Sequence, residues 1–446
     1  GVHALNEIIG DYTKRDEDCC VSVGVNPNAT QAIVNALAGA KAADSNPFER
    51  VAYSDRATPQ DIEEKGISAQ LDWDTGWADA KLTAITALRK WTSRNGIDGD
   101  FSLADLIYRD DDGSFFTGFD QFSQEVRLAG TAGNLAWLVG GFFSSEQLDY
   151  RASFLYGRDL EPYFGLAFSG GRNPALVSQL AGVAPGLIVP GTGQVDAFHQ
   201  DSKSYALFTN NSYSLGKLEL TLGLRYTIEN KEMDARYDNR GDGAACAATL
   251  ARSAQVQAAL GAAVATQYLG AICAPFSDPG FNDLDTHQER DEKEWSGTLK
   301  AAYRFNPQLL TYVSYARGYK AGGFNLDRAR IRTGVPNPDT SFPGEFVDSY
   351  EAGIKSTLFG RSLLANASAF YQKYKDFQLN TFTGVSFVVT PIPKVVSRGV
   401  DADFVWFTPL HGLSFQGGVT YAETEYGNFT PGPGISFRLP GARMSF

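Results

Sequence analysis

No run of 18 apolar residues occurs in this chain of 446 residues, so no segment can cross a membrane as a helix. A basic excess is missing too. The net charge is −12 and the sequence pI is near 4.9, which argues against a general nucleic-acid binder. Histidine is scarce, and His3, His199, His287 and His411 stand far apart. No serine nucleophile elbow, phosphate-binding P-loop or paired-cysteine zinc signature accompanies them. We therefore expect no enzyme, no cofactor and no bound metal. There is also no initiator Met and no leader-like segment. Gly1-Val2-His3 reads straight into strand-like sequence, so we expect the 446 residues to begin inside a longer chain.

Only four cysteines are present, all in stretches that read as long loops. Cys246 and Cys273 flank an Ala-rich, helix-like segment, Ala247–Leu269, and a disulfide closing that loop in an oxidising envelope is the preferred reading over two free thiols. For the neighbours Cys19 and Cys20, a vicinal bridge and separate thiols both stay open.

What the chain does have is a rhythm. Short turns at Thr75–Ala78, Gly130–Gly133, Leu215–Gly216, Asn306–Pro307, Phe359–Arg361 and Pro409–His411 join pairs of strand-like segments. Between the pairs lie long irregular stretches, among them Asp16–Glu64, Ser145–Gln200 and Glu232–Glu292. Loops long on one side only are the mark of a transmembrane β-barrel, whose turns are short on the periplasmic side. The strands alternate at period two. In Leu218–Ile228, Leu218, Leu220, Leu222, Leu224, Tyr226 and Ile228 fall on one face and Glu219, Thr221, Gly223, Arg225 and Thr227 on the other. A soluble sandwich also alternates. Segments such as 201–214 and 362–377 are nevertheless longer than the roughly 5–6 residues of a globular strand and suit the roughly 9–11 of a membrane strand. Aromatics make up 13% of the chain and gather near strand ends, as in an interfacial girdle. The polar face carries Glu125, Arg127, Glu219, Arg225, Lys300 and Arg304, a mixture suited to a watery lumen.

The pattern predicts an all-β fold, a transmembrane antiparallel barrel with one domain over 1–446. Fourteen strands are expected, at 3–15, 65–74, 79–91, 120–129, 134–145, 201–214, 217–231, 293–305, 308–319, 347–358, 362–377, 398–408, 412–424 and 438–446. Helices are expected in loops at Ala29–Ala43, Ala175–Ala181 and Thr249–Leu269. Neither the first nor the last strand has an outer partner, and a membrane sheet cannot leave its edges open in lipid. Either the two edges meet or further strands close the barrel. Phe446 suits the terminal aromatic of such barrels, although Gly441–Phe446 reads more readily as a strand just beginning.

Thr311–Asn325, T-Y-V-S-Y-A-R-G-Y-K-A-G-G-F-N, closely resembles the strand and loop start of TonB-dependent outer-membrane receptors. In the same order come Asp16–Cys20 (DEDCC), Ser123–Leu128 (SQEVRL), Trp137–Phe143 (WLVGGFF), Ser204–Phe208 (SYALF), Leu222–Tyr226 (LGLRY), Phe346–Lys355 (FVDSYEAGIK), Phe370–Leu379 (FYQKYKDFQL) and Ser397–Val400 (SRGV). Each piece alone is weak, but the ordered set covers nearly the whole chain and looks most like the siderophore-receptor branch. The resemblance implies a barrel of about 22 strands with a plugged lumen, of which these fourteen correspond to approximately the fifth through eighteenth. It implies a preceding plug and TonB-binding box, a bacterial outer-membrane location in contact with lipid, and the TonB complex as partner. The expected role is uptake of a scarce solute such as a ferric siderophore. A passive porin-like channel and a barrel-anchored surface adhesion or assembly protein are the rival readings.

Arg317, Tyr319, Lys320, Phe324 and Asn325 are candidates for lining the outer vestibule against an anionic or aromatic-rich ligand. Against this stands a girdle role for Tyr319 and charge balance for the cations. Phe115, Phe116, Tyr163, Phe164 and Phe168 form a second possible contact set, the alternative being packing of the loop on itself. Asp110-Asp111-Asp112-Gly113 reads as solvated loop charge in preference to a calcium ligand set. Gly322-Gly323 reads as a flexible exit from the strand.

Overall fold

In lipid every backbone N–H and C=O must find a partner within the protein, and a hairpin meander supplies these partners strand by strand. The computed structural model describes residues 4–23, 30–39, 46–77, 79–382 and 387–427. The expected strand 438–446, Phe446, and parts of the expected first helix and first turn lie outside the described residues. Within them, thirteen long strands form one antiparallel sheet in strict chain order. They are β1 (Ala4–Asp18), β2 (Pro59–Asp74), β3 (Lys81–Asn95), β4 (Phe116–Ala132), β5 (Leu135–Tyr156), β6 (Gly193–Leu215) and β7 (Leu218–Tyr237), followed by β8 (Leu284–Asn306), β9 (Leu309–Lys320), β10 (Glu345–Leu358), β11 (Leu363–Phe382), β12 (Phe387–Phe407) and β13 (Ser414–Tyr426). Each corresponds to one of the first thirteen expected strands. Among the described residues β1 and β13 are not paired with each other.

The two-residue β6–β7 turn shows how local chemistry sets register. Leu215 faces Leu218, and Gly216 sits at φ 62, a left-handed conformation that costs glycine little. From there the ladder fixes which residues share a face. Leu207, Leu222, Leu299 and Val313 all point outward, with exposures of 71%, 45%, 55% and 58%. These are lipid-facing positions. Near the upper end of this band, rings pair across strands at Phe143–Tyr205, Tyr226–Trp295 and Tyr315–Tyr350. The alternate positions face inward and interact as polar groups. Arg127 bonds Glu125 at 2.9 Å, and Arg225 lies 5.4 Å from the ring centroid of Phe142.

The sheet runs well past the expected strand ends. β6 and β8 are each 23 residues long, and β8 pairs with β7 without a break from Leu284↔Tyr237 to Tyr303↔Leu218. Residues 284–294 carry little apolar character on either face. Above the lipid the ladder needs only backbone pairing, so it continues where the alternation stops. The expected long loops are shorter by that amount.

Helices appear at α1 (Gln31–Ala38), α2 (Leu160–Ser169), α3 (Leu176–Ala181), α4 (Ala244–Ala251), α5 (Ser253–Leu260) and α6 (Ala262–Ile272). The single helix expected at Thr249–Leu269 is three, interrupted at Arg252 and at Gly261 with φ 76. α2 was not expected, because its aromatics read as loop. The main hydrophobic core lies here rather than in the membrane-spanning wall: Leu106, Tyr156, Leu160, Val177, Val256 and Tyr268 are buried together among the helices and loops.

An inward-outward test follows from the alternation. Leu222→Arg, near mid-membrane on the outer face, should destabilise the folded protein by about 2–4 kcal/mol, whereas Thr221→Arg on the inner face should cost less than half of that. Denaturant unfolding in lipid vesicles measures both.

Candidate functional site

The segment 321–344 leaves β9 and returns to β10, and it folds onto the inner face of the wall at the mouth of the barrel. Three sets of polar bonds hold it there. At its start, Glu292 on β8 accepts from the Tyr319 hydroxyl, from Arg290 and, at 2.9 Å, from the N–H of Gly322. Lys231 on β7 donates to the Gly322 carbonyl at 2.7 Å. Burial pulls the Lys231 ammonium below its ordinary range. Burial works to raise the Glu292 carboxyl, but its hydrogen bonds prevail and hold it below its usual value. Gly322-Gly323 is therefore a docked corner, since a Cβ at Gly322 would clash with the Phe342 carbonyl.

Arg328 is the centre of the second set. Its guanidinium is wholly buried, and each of its five N–H groups has an acceptor. Nε bonds Asp196 Oδ2 at 2.9 Å and Nη2 bonds Asp196 Oδ1 at 2.6 Å. Nη2 also reaches the Asp238 carbonyl at 2.6 Å, and Nη1 reaches Asn239 Oδ1 at 2.7 Å and the Pro275 carbonyl at 3.1 Å. One side chain thus joins the top of β6, the end of β7, the segment after α6 and the 321–344 loop. The third set is beside it. The buried Asp278 carboxylate accepts from Arg330 Nη1 at 2.9 Å and from the Gly334 N–H at 2.8 Å. Cys246 and Cys273 are bonded to each other, with Cα atoms 4.8 Å apart, which pins α4 to the end of α6. Cys19 and Cys20 are likewise joined.

These bonds place the residues singled out from the sequence. Tyr319 and Lys320 stay at the mouth, Tyr319 bonded to Glu292 and Lys320 exposed. Phe324 is buried against Phe198, Met233 and Phe281, so it shapes the loop instead of facing a vestibule. Asn325 is also used internally, accepting from the Val389 N–H at 2.6 Å and donating to the Thr340 carbonyl at 3.2 Å. Arg317 is a correction. It shares the face of Val313 and Tyr315, so it stands on the outer wall, paired with Asp348 at 3.4 Å. Phe116 lies on that wall too, opposite Arg151 and 5.6 Å from its guanidinium carbon. Phe115 stacks under Arg109 at 4.2 Å. Tyr163, Phe164 and Phe168 pack into the helical core, where Phe168 meets Tyr268 edge-on at 5.2 Å. Asp111 and Asp112 are engaged by Arg94 at 3.1 Å and Arg240 at 3.8 Å. No group of three or more His, Cys, Asp or Glu side chains among the described residues could hold a metal ion. Sequence reasoning missed Asp196, Asp278, Glu292 and Arg328. The first two sit in stretches without alternation, and only buried charge distinguishes them from loop polarity.

A second brace holds the loop between β3 and β4. Asp100 accepts from the N–H groups of Leu106 and Ile107, both at 3.2 Å, and Asp98 from that of Asp55 at 3.2 Å. Burial pushes the Asp100 carboxyl up to about 7. Burial, with Asp105 and Asp98 nearby, pushes Asp55 up to about 6.

The family model described as "TonB dependent receptor-like, beta-barrel" matches residues 21–445. The solved ferric yersiniabactin uptake receptor FyuA from Yersinia pestis is similar in fold, with a TM-score of 0.53 and 15% identity over 83% of this chain and 44% of that one. The closed form of the ferric-catecholate import receptor Fiu from K12 E. coli has a TM-score of 0.56 and 12% identity over 95% of this chain and 56% of that one. The copper transporter OprC has a TM-score of 0.53 and 10% identity over 84% and 48%. The chain thus spans about half the length of these proteins, and at such identities the likeness is one of fold.

Replacing Arg328 with Met should leave Asp196 buried and unpaired, at a cost of about 3–5 kcal/mol to the loop assembly. Tryptic cleavage after Arg252 should then speed up by about a hundredfold or more. For the second brace, a carboxyl whose folded pKa is raised stabilises the fold fully below its ordinary pKa, and loses that contribution as pH rises through the folded value. The 96–107 loop should therefore be tightest at or below about pH 4 and loosen progressively from there up to about pH 7, above which the dependence levels off. Hydrogen exchange of those amides, corrected for intrinsic rates, checks this, and Asp100→Asn should flatten most of the dependence.

Proposed function

Because this chain belongs to the TonB-dependent receptor β-barrel family, whose barrels reside in the bacterial outer membrane, we propose that it is the barrel of an active importer. It captures a scarce solute, in first place a ferric siderophore, at its outer mouth and releases it inward with energy delivered through TonB. The observation that supports this reading is the mouth itself. Segment 321–344 lies on the inner face of the wall, fastened by Glu292, Arg328 and Asp278. A prearranged surface of this kind lowers the ordering cost of ligand capture, a feature a passive pore does not need. The first two receptors compared above are named for ferric siderophores, and OprC for copper, so a metal-bearing cargo is the class to test first.

Lys320, exposed beside the docked corner, is the proposed cationic contact for the ligand, with Tyr319 next to it. Uptake of a panel of labelled ferric siderophores by intact cells, with and without a functional TonB, tests the reading. Saturable binding in both strains with accumulation only when TonB is present is the expected outcome. TonB-independent, unsaturable entry would indicate a channel instead, and loop-dependent surface attachment without uptake would indicate an adhesin. Within that assay, Lys320→Ala should weaken binding by about tenfold, the loss of one charge-assisted hydrogen bond. Arg317→Ala, on the outer wall, should leave uptake unchanged.

A further inference from the structure

Two histidines share one row on the outer face of the wall, well above the lipid. The register sets Asp149, His199, Asp234 and His287 side by side across β5, β6, β7 and β8. His199 lies six residues beyond Tyr205 and His287 eight beyond Trp295, about 20 Å and about 26 Å further along their strands. Both rings are caught between carboxylates. His199 Nδ1 is 2.7 Å from Asp149 Oδ1, and its Nε2 is 3.5 Å from Asp201 Oδ2. His287 Nδ1 is 2.8 Å from Asp234 Oδ1, and its Nε2 is 3.2 Å from Glu289 Oε1. A carboxylate only accepts, and a neutral imidazole has a single N–H. The neutral ring can serve one of its two acids and must turn a lone pair toward the other. The imidazolium, with an N–H at each end, satisfies both. The bonds to Asp149 and to Asp234 accordingly hold His199 and His287 above the ordinary histidine range. The other charges facing the rings are Glu232, Asp285, Arg151 and Arg236 on the adjoining rows. Of these, Arg236 is already engaged by Asp283 at 2.6 Å and Asp285 at 3.0 Å.

The inward residues between these positions carry the mouth. Phe198 precedes His199, Met233 and Ala235 flank Asp234, and all three pack with Phe281 and Phe324. Asp196, three residues before His199, receives Arg328. Segment 321–344 is thus fastened to the inside of the same stretch of wall that the histidines hold from the outside. We propose that the row is a proton-operated clamp. In acid the two imidazoliums tie β5 to β6 and β7 to β8, and as the medium turns alkaline the ties open and the wall under segment 321–344 loosens. Above the lipid, water competes for the backbone ladder, so cross-strand side-chain pairs add to its stability. Once the rings lose their protons, Asp149, Asp201, Asp234, Glu289, Glu232 and Asp285 face Arg151 and Arg236 alone, and like charges on neighbouring strands repel. A base whose folded pKa is raised contributes its stability fully below its ordinary value and loses it as pH rises through the folded value. The clamp is therefore closed below about pH 6.5 and opens progressively above it.

The test is hydrogen exchange of the whole receptor in mild detergent, followed from about pH 6 to about pH 9 and corrected for intrinsic rates. In the unaltered protein, amides 195–201, 232–237 and 284–289 should exchange about threefold faster at the alkaline end, the scale of two exposed charge pairs. The His199→Gln, His287→Gln double variant should show the faster exchange at every pH, with no slope of its own. The His199→Lys, His287→Lys double variant keeps its charge throughout the range and should show the slower exchange at every pH. All forms should keep the unheated electrophoretic mobility of a folded barrel. The amides of Asn325 and Gly334, bonded to the Thr340 carbonyl and to Asp278, should follow the wall in the same direction. Asp100→Asn, in the other pH-dependent brace, should leave these slopes as they are. An undiminished slope in the Gln variant, fast exchange at every pH in the Lys variant, or exchange that slows as pH rises would each overturn the proposal. So would a wall that responds while Asn325 and Gly334 do not. Siderophore uptake enters none of these readouts, so the outcome is independent of the transport reading.

Discussion

Backbone hydrogen bonding in lipid is the constraint on which the rest of this molecule depends. A strand that crosses the membrane must satisfy all its N–H and C=O groups through its neighbours, which forces long, unbroken antiparallel ladders. The ladder in turn fixes side-chain direction, since cross-strand partners share a face and neighbours along a strand do not. From that one rule come the exposed leucines of β7, the ring pairs at the upper end of the band, the inward ionic pairs and the position of Arg317 outside the wall.

Above the membrane the rule relaxes and a different physics takes over. Water now competes for backbone groups, and the loops must build a conventional core to hold a shape. They do so with the helices α2–α6 around Val177, Val256 and Tyr268. Charges buried beside that core carry the specificity. Arg328 bridges segments more than a hundred residues apart in sequence, because a guanidinium can present five donors at once and leaves none unsatisfied. A buried ion pair is weak evidence for stability, since desolvation offsets the attraction. Its value here is geometric, because the five acceptors come from three separate stretches of chain, around Asp196, Asp238-Asn239 and Pro275, which this arrangement of the loops brings together. The disulfide between Cys246 and Cys273 adds a covalent limit on the same assembly.

The sequence was most legible where lipid imposed its pattern. All thirteen described strands of the main sheet fall in the order that alternation and turn spacing predict, with the short turns within a few residues of the expected places. The ends of β6, β7 and β8 were not legible, because a ladder in water leaves no periodic trace. Arg317 was misplaced for a different reason. Val313 and Tyr315 already marked its face, but its nearness to the glycine-rich corner suggested the vestibule. Phe324 read as a vestibule contact, and only the fold shows that it is packed; for Tyr163 and Phe164 the sequence left ligand contact and packing of the loop on itself both open, and they pack into the helical core.

The sequence by itself determined the barrel, its polarity and the family resemblance, because short-range alternation and tight turns are local properties that period-two patterns encode directly. Tertiary structure alone decided how segment 321–344 folds onto the inner face and which carboxylates receive Arg328 and Arg330. Those outcomes depend on contacts between segments far apart in the chain and on the stagger between tilted strands. No residue records them in its own neighbourhood.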